Sequence, residues 1–139
     1  MNRYIHLTGR ILMSIVFLLA GIGKLSDPNG TAGYMQAMGI PGILVWPTLL
    51  FEIGGALAIM VGWQTRTVAL LLAGFSVVSG VIFHHNFADQ TQMIMFLKNL
   101  SMAGGFLLLV ASGATDFAVD TRQVNGNESG KGNRRQAAI

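Results

Sequence analysis

The chain has 139 residues, of which 52% are hydrophobic and only 11% are charged, and its formal net charge is +3. Soluble domains carry about 25% charged residues, so this deficit predicts an integral membrane protein of one domain. The absence of cysteine excludes disulfides, thiolate metal sites and c-type haem attachment. No basic surface suited to reading nucleic acid is evident, and we expect no nucleic-acid partner.

An apolar segment over residues 5–25 predicts the first membrane-spanning helix, because about 20 such residues cross a bilayer. A cleaved signal peptide with Arg3 in its basic lead is the alternative, but no small-x-small cleavage site precedes a soluble domain. The breaker cluster at residues 27–30 follows. Thr31 then predicts the cap of a short helix over residues 31–38, which would lie at the membrane interface.

The second predicted helix spans residues 43–63. Trp46 and Trp63 would lie about 25 Å apart along it, as the aromatic belts of a bilayer require. A ladder of small residues along the same helix would let a neighbouring helix or a second copy of the chain approach closely: Gly54, Ala58 and Gly62.

The third and fourth predicted helices span residues 67–85 and 93–112. The third ends at His84 and His85, and the fourth carries Lys98 and Asn99 near its start. Four crossings place both termini on one side, and the excess of Lys and Arg there predicts that this side is cytoplasmic.

The predicted fold is therefore an all-α integral membrane protein, a bundle of four transmembrane helices with both termini cytoplasmic. Residues 1–120 would form the membrane domain. Residues 121–139 are rich in Asn, Gly and Ser and carry basic residues, so they are expected to form a disordered basic cytoplasmic tail.

A single carboxylate, Glu52, falls within the second predicted helix. A carboxylate at bilayer depth costs roughly 2.5–3.5 kcal/mol on insertion scales, so it needs a partner or solvent. The predicted orientation puts Glu52 in the outer half of the bundle. Lys98 lies at similar depth and is the first candidate partner, and Arg10, nearer the cytoplasmic end, is the second. Lys24 is interpreted as a side chain that extends to the membrane surface.

We therefore predict a polar or ligand-binding cluster in the outer half of the bundle. In the alternative interpretation, Glu52 and its partner only fix helix packing, and the histidines lie near headgroups without a special role. No metal site is predicted at the histidine pair, because adjacent helical residues point about 100° apart and no third ligand has suitable spacing. The candidate residues are Arg10, Glu52, His84, Lys98 and Asn99.

Short motifs follow one another in a fixed order along residues 8–120. In this order they resemble the DoxX family of small bacterial inner-membrane proteins. The motifs are Arg10 with Ala20-Gly21-Ile22-Gly23-Lys24, Tyr34 with Gly39-Ile40-Pro41, Glu52-Ile53-Gly54-Gly55, Gly62 with Thr65-Arg66, Phe83-His84-His85, Lys98-Asn99-Leu100, and Gly104-Gly105 with Gly113.

The resemblance implies a multi-pass, four-helix protein of the bacterial inner membrane. The family is named after a small subunit of a thiosulfate–quinone oxidoreductase, so the resemblance alone suggests an oxidoreductase-associated subunit. It leaves open whether the chain is an enzyme, and no haem, flavin or nicotinamide motif is present. The cofactor is likewise open, with a quinone as the candidate. The lipid bilayer is the expected partner, and an oxidoreductase subunit or a second copy of the chain are further candidates.

Three functions are compatible with these features of the sequence. The first is a redox-associated membrane subunit that binds a quinone-like lipophilic small molecule, with Glu52 exchanging protons while Lys98, His84 and Asn99 bind the headgroup. The second is a non-catalytic structural or accessory protein. The third is a component for small-molecule permeation. Two features count against it: four helices enclose little volume, and the sequence shows no broken helices or inverted repeats.

Overall fold

The computed structural model describes residues 2–115 and 117–121, and the regular elements in these ranges are helical. Four of the helices are long and apolar enough to cross a membrane, which confirms the predicted all-helical membrane architecture. The expected tail lies outside the described residues apart from Thr121. The elements are α1 (Asn2–Ser26), α2 (Pro28–Ala37), a 3-10 turn (Gly42–Leu44) that runs directly into α3 (Val45–Val61), α4 (Thr65–Phe83) and α5 (Gln90–Ser112).

The bundle consists of two helix pairs. Helix α1 packs on α3, and α4 packs on α5. The pairs meet through a core in which Phe17 of α1 lies edge-on to Phe106 of α5, with ring centroids 5.4 Å apart. Ile59 and Leu72 fill the same core and are fully buried. Apolar side chains on the outer faces remain exposed, as expected for helices that face lipid.

The helices approach one another closely where glycines lie. A side chain at Gly21 of α1 would collide with Ile53 of α3, and one at Gly55 would press on Leu72 of α4. Gly54, the first position of the predicted ladder, does not pack within the bundle, because it is exposed and faces away from it. Its contact with a second copy of the chain stays a prediction. The buried face of α3 follows Gly55, Ala58 and Gly62, spaced three and four residues apart as one helical face requires.

Helix α2 begins earlier than the sequence suggested. Asp27, not Thr31, caps it: the Asp27 carboxylate accepts the backbone N–H of Gly30 at 2.9 Å. The reason is Pro28, whose fixed φ suits the first helical position. Met35 is buried beneath α2, and the Tyr34 ring stacks on Phe83 of α4 at 5.6 Å. Helix α2 therefore covers one end of the bundle.

Residues 117–121 lie at the other end of the bundle, where α1 begins, and contact the turn between α3 and α4. The Asp120 carboxylate accepts the N–H groups of Gln64 and Thr65 at 2.7 and 2.8 Å, and it thereby caps α4 in place of Gln64, whose side chain makes no cap bond. The Asp120 N–H donates to the Gly62 carbonyl at 2.9 Å.

Arg10 lies at the same end of the bundle. It is 1% exposed and donates from Nη2 to the Phe117 carbonyl at 2.8 Å.

Candidate functional site

Glu52 of α3 pairs with Lys24 of α1. The Lys24 ammonium donates to Glu52 Oε1 at 3.0 Å and lies 2.8 Å from Oε2. The second contact brings the charges together without hydrogen-bond geometry, so Oε2 accepts no hydrogen bond from the described residues. The Glu52 side chain is 5% exposed and that of Lys24 is 23% exposed. The anomalous carboxylate is therefore neutralised within the bundle.

The predicted partners of Glu52 were wrong, and so was the interpretation of Lys24 as a side chain that extends to the surface. Gly21 and Lys24 lie three residues apart and share a face of α1. Because Gly21 contacts Leu49 and Ile53, that face directs Lys24 onto the segment of α3 that carries Glu52. The pair of spacings Gly21-x-x-Lys24 and Leu49-x-x-Glu52 was the sequence signal for this contact.

The other predicted members of the cluster, Lys98, Asn99 and Arg10, lie away from Glu52. Helix α5 packs on α4 rather than on α3, so Lys98 is exposed on its outer side. Asn99 donates to the Met95 carbonyl of its own helix at 3.0 Å and packs against Gly80. Arg10 lies at the opposite end of the bundle, beside Phe117.

A pocket of about 720 Å³ opens beside the ion pair. Its volume falls within the range of about 300–1,000 Å³ that is typical of small-molecule sites. Helices α1, α2, α3 and α4 all contribute to its walls. The polar lining residues include Lys24, Asp27, Thr31, Thr48, Glu52, Ser79 and His84, and the larger apolar and aromatic ones include Tyr34, Met35, Ile40, Leu44, Phe75, Ile82 and Phe83.

His84 lines this pocket just after the end of α4. Its Nδ1 lies 2.9 Å from Oε1 of Gln92, in the first turn of α5. A carbonyl oxygen only accepts hydrogen bonds, so Nδ1 is the donor in this contact, and in the neutral imidazole Nε2 is then the acceptor nitrogen. His85 instead contacts the Ile82 carbonyl through Nδ1 at 3.0 Å and does not line the pocket. Among the described residues, no three His, Asp or Glu side chains are grouped closely enough to hold a metal ion.

Of the predicted cluster, the structure thus brings Glu52 and His84 to one pocket, while Arg10, Lys98 and Asn99 do not line it. Ligand binding by any of them stays a prediction. Sequence reasoning did not assign Phe75 to the pocket or Gln92 to His84. Both lie on ordinary helix positions, and only the paths of α4 and α5 bring Phe75 to the pocket wall and Gln92 to His84.

Comparison with known proteins identifies the family of this chain. A family model described as DoxX matches residues 5–85. The chain belongs to the DoxX family. It is 47% identical over 114 residues to the inner membrane protein YqjF of Escherichia coli, across 82% of this chain and 88% of that protein. It is also 33% identical over 124 residues to the inner membrane protein YphA of the same organism, across 84% and 88% of the two chains.

This DoxX-family chain is therefore a multi-pass protein of the bacterial inner membrane. A more distant similarity reaches a Bacillus subtilis protein named "Putative oxidoreductase CatD", at 27% identity over 64 residues, or 46% of this chain and 48% of that one. No solved structure gives a significant match.

Proposed function

We propose that this DoxX-family protein binds a quinone-like lipophilic small molecule in the pocket beside Lys24 and Glu52, and that it serves as a redox-associated membrane subunit. The observation that carries the proposal is the position of the ion pair. Lys24 and Glu52 border a pocket of about 720 Å³ whose lining is largely apolar and aromatic, with Asp27 as its third charged residue. Ionisable groups inside a membrane protein commonly mark ligand or proton sites.

The charge balance of the pocket disfavours an anionic headgroup. Glu52 already compensates the ammonium of Lys24, and Asp27 adds a second carboxylate to the lining. An anionic ligand would therefore find no uncompensated positive charge. The ammonium has three hydrogens. One is used by Glu52, and another points toward the Ala20 carbonyl at 3.5 Å. A carbonyl oxygen of the ligand can accept the third.

The aromatic lining favours a planar ring. Tyr34 and Phe83 stack with 23° between their planes, and Phe75 contributes another ring to the wall. Aromatic faces and edges bind a flat ring through offset or edge-on contacts. A quinone combines such a ring with two carbonyl acceptors and an apolar tail, which matches both features of the pocket.

Redox association has separate support. It comes from the resemblance to a family named after a quinone oxidoreductase subunit, and from the printed name of the Bacillus relative. The sequence carries no haem, flavin or nicotinamide motif of its own, so we propose that the electron carrier is the bound molecule or a partner subunit. Excess Lys and Arg at the end with the termini supports an orientation in which the pocket lies in the outer half of the membrane.

Thermal unfolding of the purified protein tests ligand binding. A short-chain ubiquinone should raise the unfolding temperature in a concentration-dependent way, since a ligand at 100 times its Kd adds about 2.7 kcal/mol to the free energy of unfolding. Ser79→Phe should abolish this increase by filling the pocket that Ser79 lines. Val78→Phe is the matched control, because Val78 is 57% exposed on the outer face of the same helix. An unchanged unfolding temperature in the wild type would contradict the proposal.

The second candidate is a structural or accessory role, which the close pairing of Lys24 with Glu52 favours. In that case the pair only joins α1 to α3. Replacing both residues by apolar ones should then leave folding and cellular phenotype intact. Under the ligand-binding proposal the same double variant folds but loses the ubiquinone-dependent rise in unfolding temperature.

A further inference from the structure

Helix α5 holds His84 in one orientation at the wall of the pocket. Asp89 caps α5 by accepting the N–H groups of Thr91 at 2.8 Å and of Gln92 at 3.4 Å. This fixes the first turn of the helix, from which Gln92 reaches the His84 Nδ1. The contact joins the end of α4 to the start of α5. The tautomer of His84 is therefore set by a residue outside the pocket.

The pocket consequently offers fixed hydrogen-bonding groups of both kinds. Lys24 can only donate, because an ammonium group has no acceptor. His84 Nε2 can only accept while the proton stays on Nδ1. The carboxylate of Glu52 adds a second acceptor: Lys24 engages its Oε1, while Oε2 accepts no hydrogen bond from the described residues. A ligand that pairs with both Lys24 and His84 must bear an acceptor and an O–H or N–H donor.

These groups discriminate between the two redox forms of a quinone-like ring. A quinone carries only acceptors, so it can bind Lys24 but leaves His84 Nε2 unpaired. A hydroquinone carries hydroxyl groups, which accept from Lys24 and donate to His84. We infer that the pocket prefers the neutral hydroquinone form of its ligand, with His84 as the specificity-determining residue and Gln92 as its positioning residue. This inference rests on the proposed function and refines its ligand class.

Binding affinities of three matched probes test the inference. The probes are 2-decyl-1,4-benzoquinone, its hydroquinone, and the 1,4-dimethoxy analogue, which has no O–H donor. Affinities are measured on the purified full chain at pH 8. The hydroquinone can be kept reduced with dithionite, because a chain without cysteine has no disulfide for it to reduce. We expect the hydroquinone to bind about tenfold more tightly than either other probe, as one additional hydrogen bond allows.

Variants then assign the preference to its residues. His84→Phe should bring the affinity ratio of hydroquinone to quinone close to one, while quinone affinity changes little. Gln92→Leu should lower the ratio without abolishing it, because the imidazole can then change tautomer. His85→Phe is the matched control and should keep the wild-type ratio, since His85 lies outside the pocket.

The outcomes separate this inference from the proposal beneath it. Equal or tighter binding of the quinone by the wild type, or a preference that survives in His84→Phe, would overturn the inference alone. Failure of all three probes to bind would overturn the proposed function and the inference with it. The wild-type comparison decides the matter even where a variant does not fold.

Discussion

Lys24 and Glu52 join the first and second membrane-spanning helices by an ion pair, with Nζ 3.0 Å from Oε1 and 2.8 Å from Oε2. Among the described residues it is the one salt bridge. Both groups lose water on folding, and their attraction offsets that loss only while both are present. Losing one partner should therefore be worse than losing both.

Substituting Lys24 by Met should lower the free energy of unfolding by about 3–5 kcal/mol, because Glu52 is left uncompensated. Adding Glu52→Leu to the same chain should recover most of that loss. Unfolding in mixed micelles measures both, as a double-mutant cycle with each single variant. Lys98→Met is the control and should change stability by less than about 0.5 kcal/mol, because Lys98 is exposed. Additive effects of the two substitutions would show that the pair is not coupled.

The sequence identified Glu52 because a carboxylate is conspicuous in an apolar helix, but it could not identify the partner. The four long helices follow from apolar runs that Pro and polar turns interrupt, and their existence was predictable from those runs alone. No single apolar segment specifies which helices are neighbours in the bundle. Similar depth in the membrane made Lys98 the first candidate partner, but depth does not specify which helices are neighbours. In the structure α1 packs on α3.

The pocket illustrates the same limit. The sequence indicates His84 only as a polar residue at a helix end. In the structure His84 and Glu52 both line the pocket. Its acceptor nitrogen is set by Gln92, eight residues later and on the next helix. Side-chain hydrogen bonds of this kind depend on the angle between two helices, which hydrophobic periodicity does not specify.

Asp120 should make stability depend on pH. Burial raises the pKa of its carboxyl, but hydrogen bonds from the Thr65 and Gln64 N–H groups and the positive charge of Arg10 together lower it below the ordinary value of 3.8. A lowered folded-state pKa means that the contribution is complete above the unfolded value and is lost as pH falls through the folded one. Asp120→Ala should therefore cost about 1 kcal/mol near neutral pH, measured by chemical unfolding.

The difference between Asp120→Ala and the wild type should shrink as the pH falls below 3.8 and through the lower folded-state pKa, because the wild-type carboxylate then becomes protonated. Asp120→Asn is the control: it keeps one acceptor oxygen and does not titrate. It should lose less stability than the alanine variant at neutral pH. A wild-type advantage that stays constant down to pH 2 would contradict the capping role.

Gly62 should tolerate no side chain. It ends α3 with φ at 72°, and a Cβ there would collide with Arg10 Nη1 and with Ala118. Gly62→Ala should destabilise by about 1–2 kcal/mol from the left-handed backbone alone, and by more from the collisions. Gly74→Ala is the matched control within α4, where a Cβ meets nothing within 4 Å, and it should leave the unfolding temperature unchanged or raised. Equal effects of the two substitutions would count against this close packing.

Labelling of introduced cysteines tests the proposed orientation, since the natural chain contains none. Asn86→Cys lies in the exposed turn between α4 and α5, and Thr67→Cys lies in the exposed first turn of α4. With cytoplasmic termini, a membrane-impermeant maleimide should label Asn86→Cys in spheroplasts and Thr67→Cys only after lysis. The reverse pattern would place the pocket in the cytoplasmic half of the membrane.

Photo-crosslinking tests the central claim, ligand binding beside Lys24 and Glu52, most directly. A benzoquinone with an aryl azide on its tail is irradiated with the purified protein, and the labelled peptides are mapped by mass spectrometry. We predict labelling of the peptides that contain Tyr34 or Phe83, blocked by excess unmodified quinone and lost in Ser79→Phe. Labelling spread over lipid-facing positions such as Leu108, which is 75% exposed, and unaffected by competitor would contradict the proposed site.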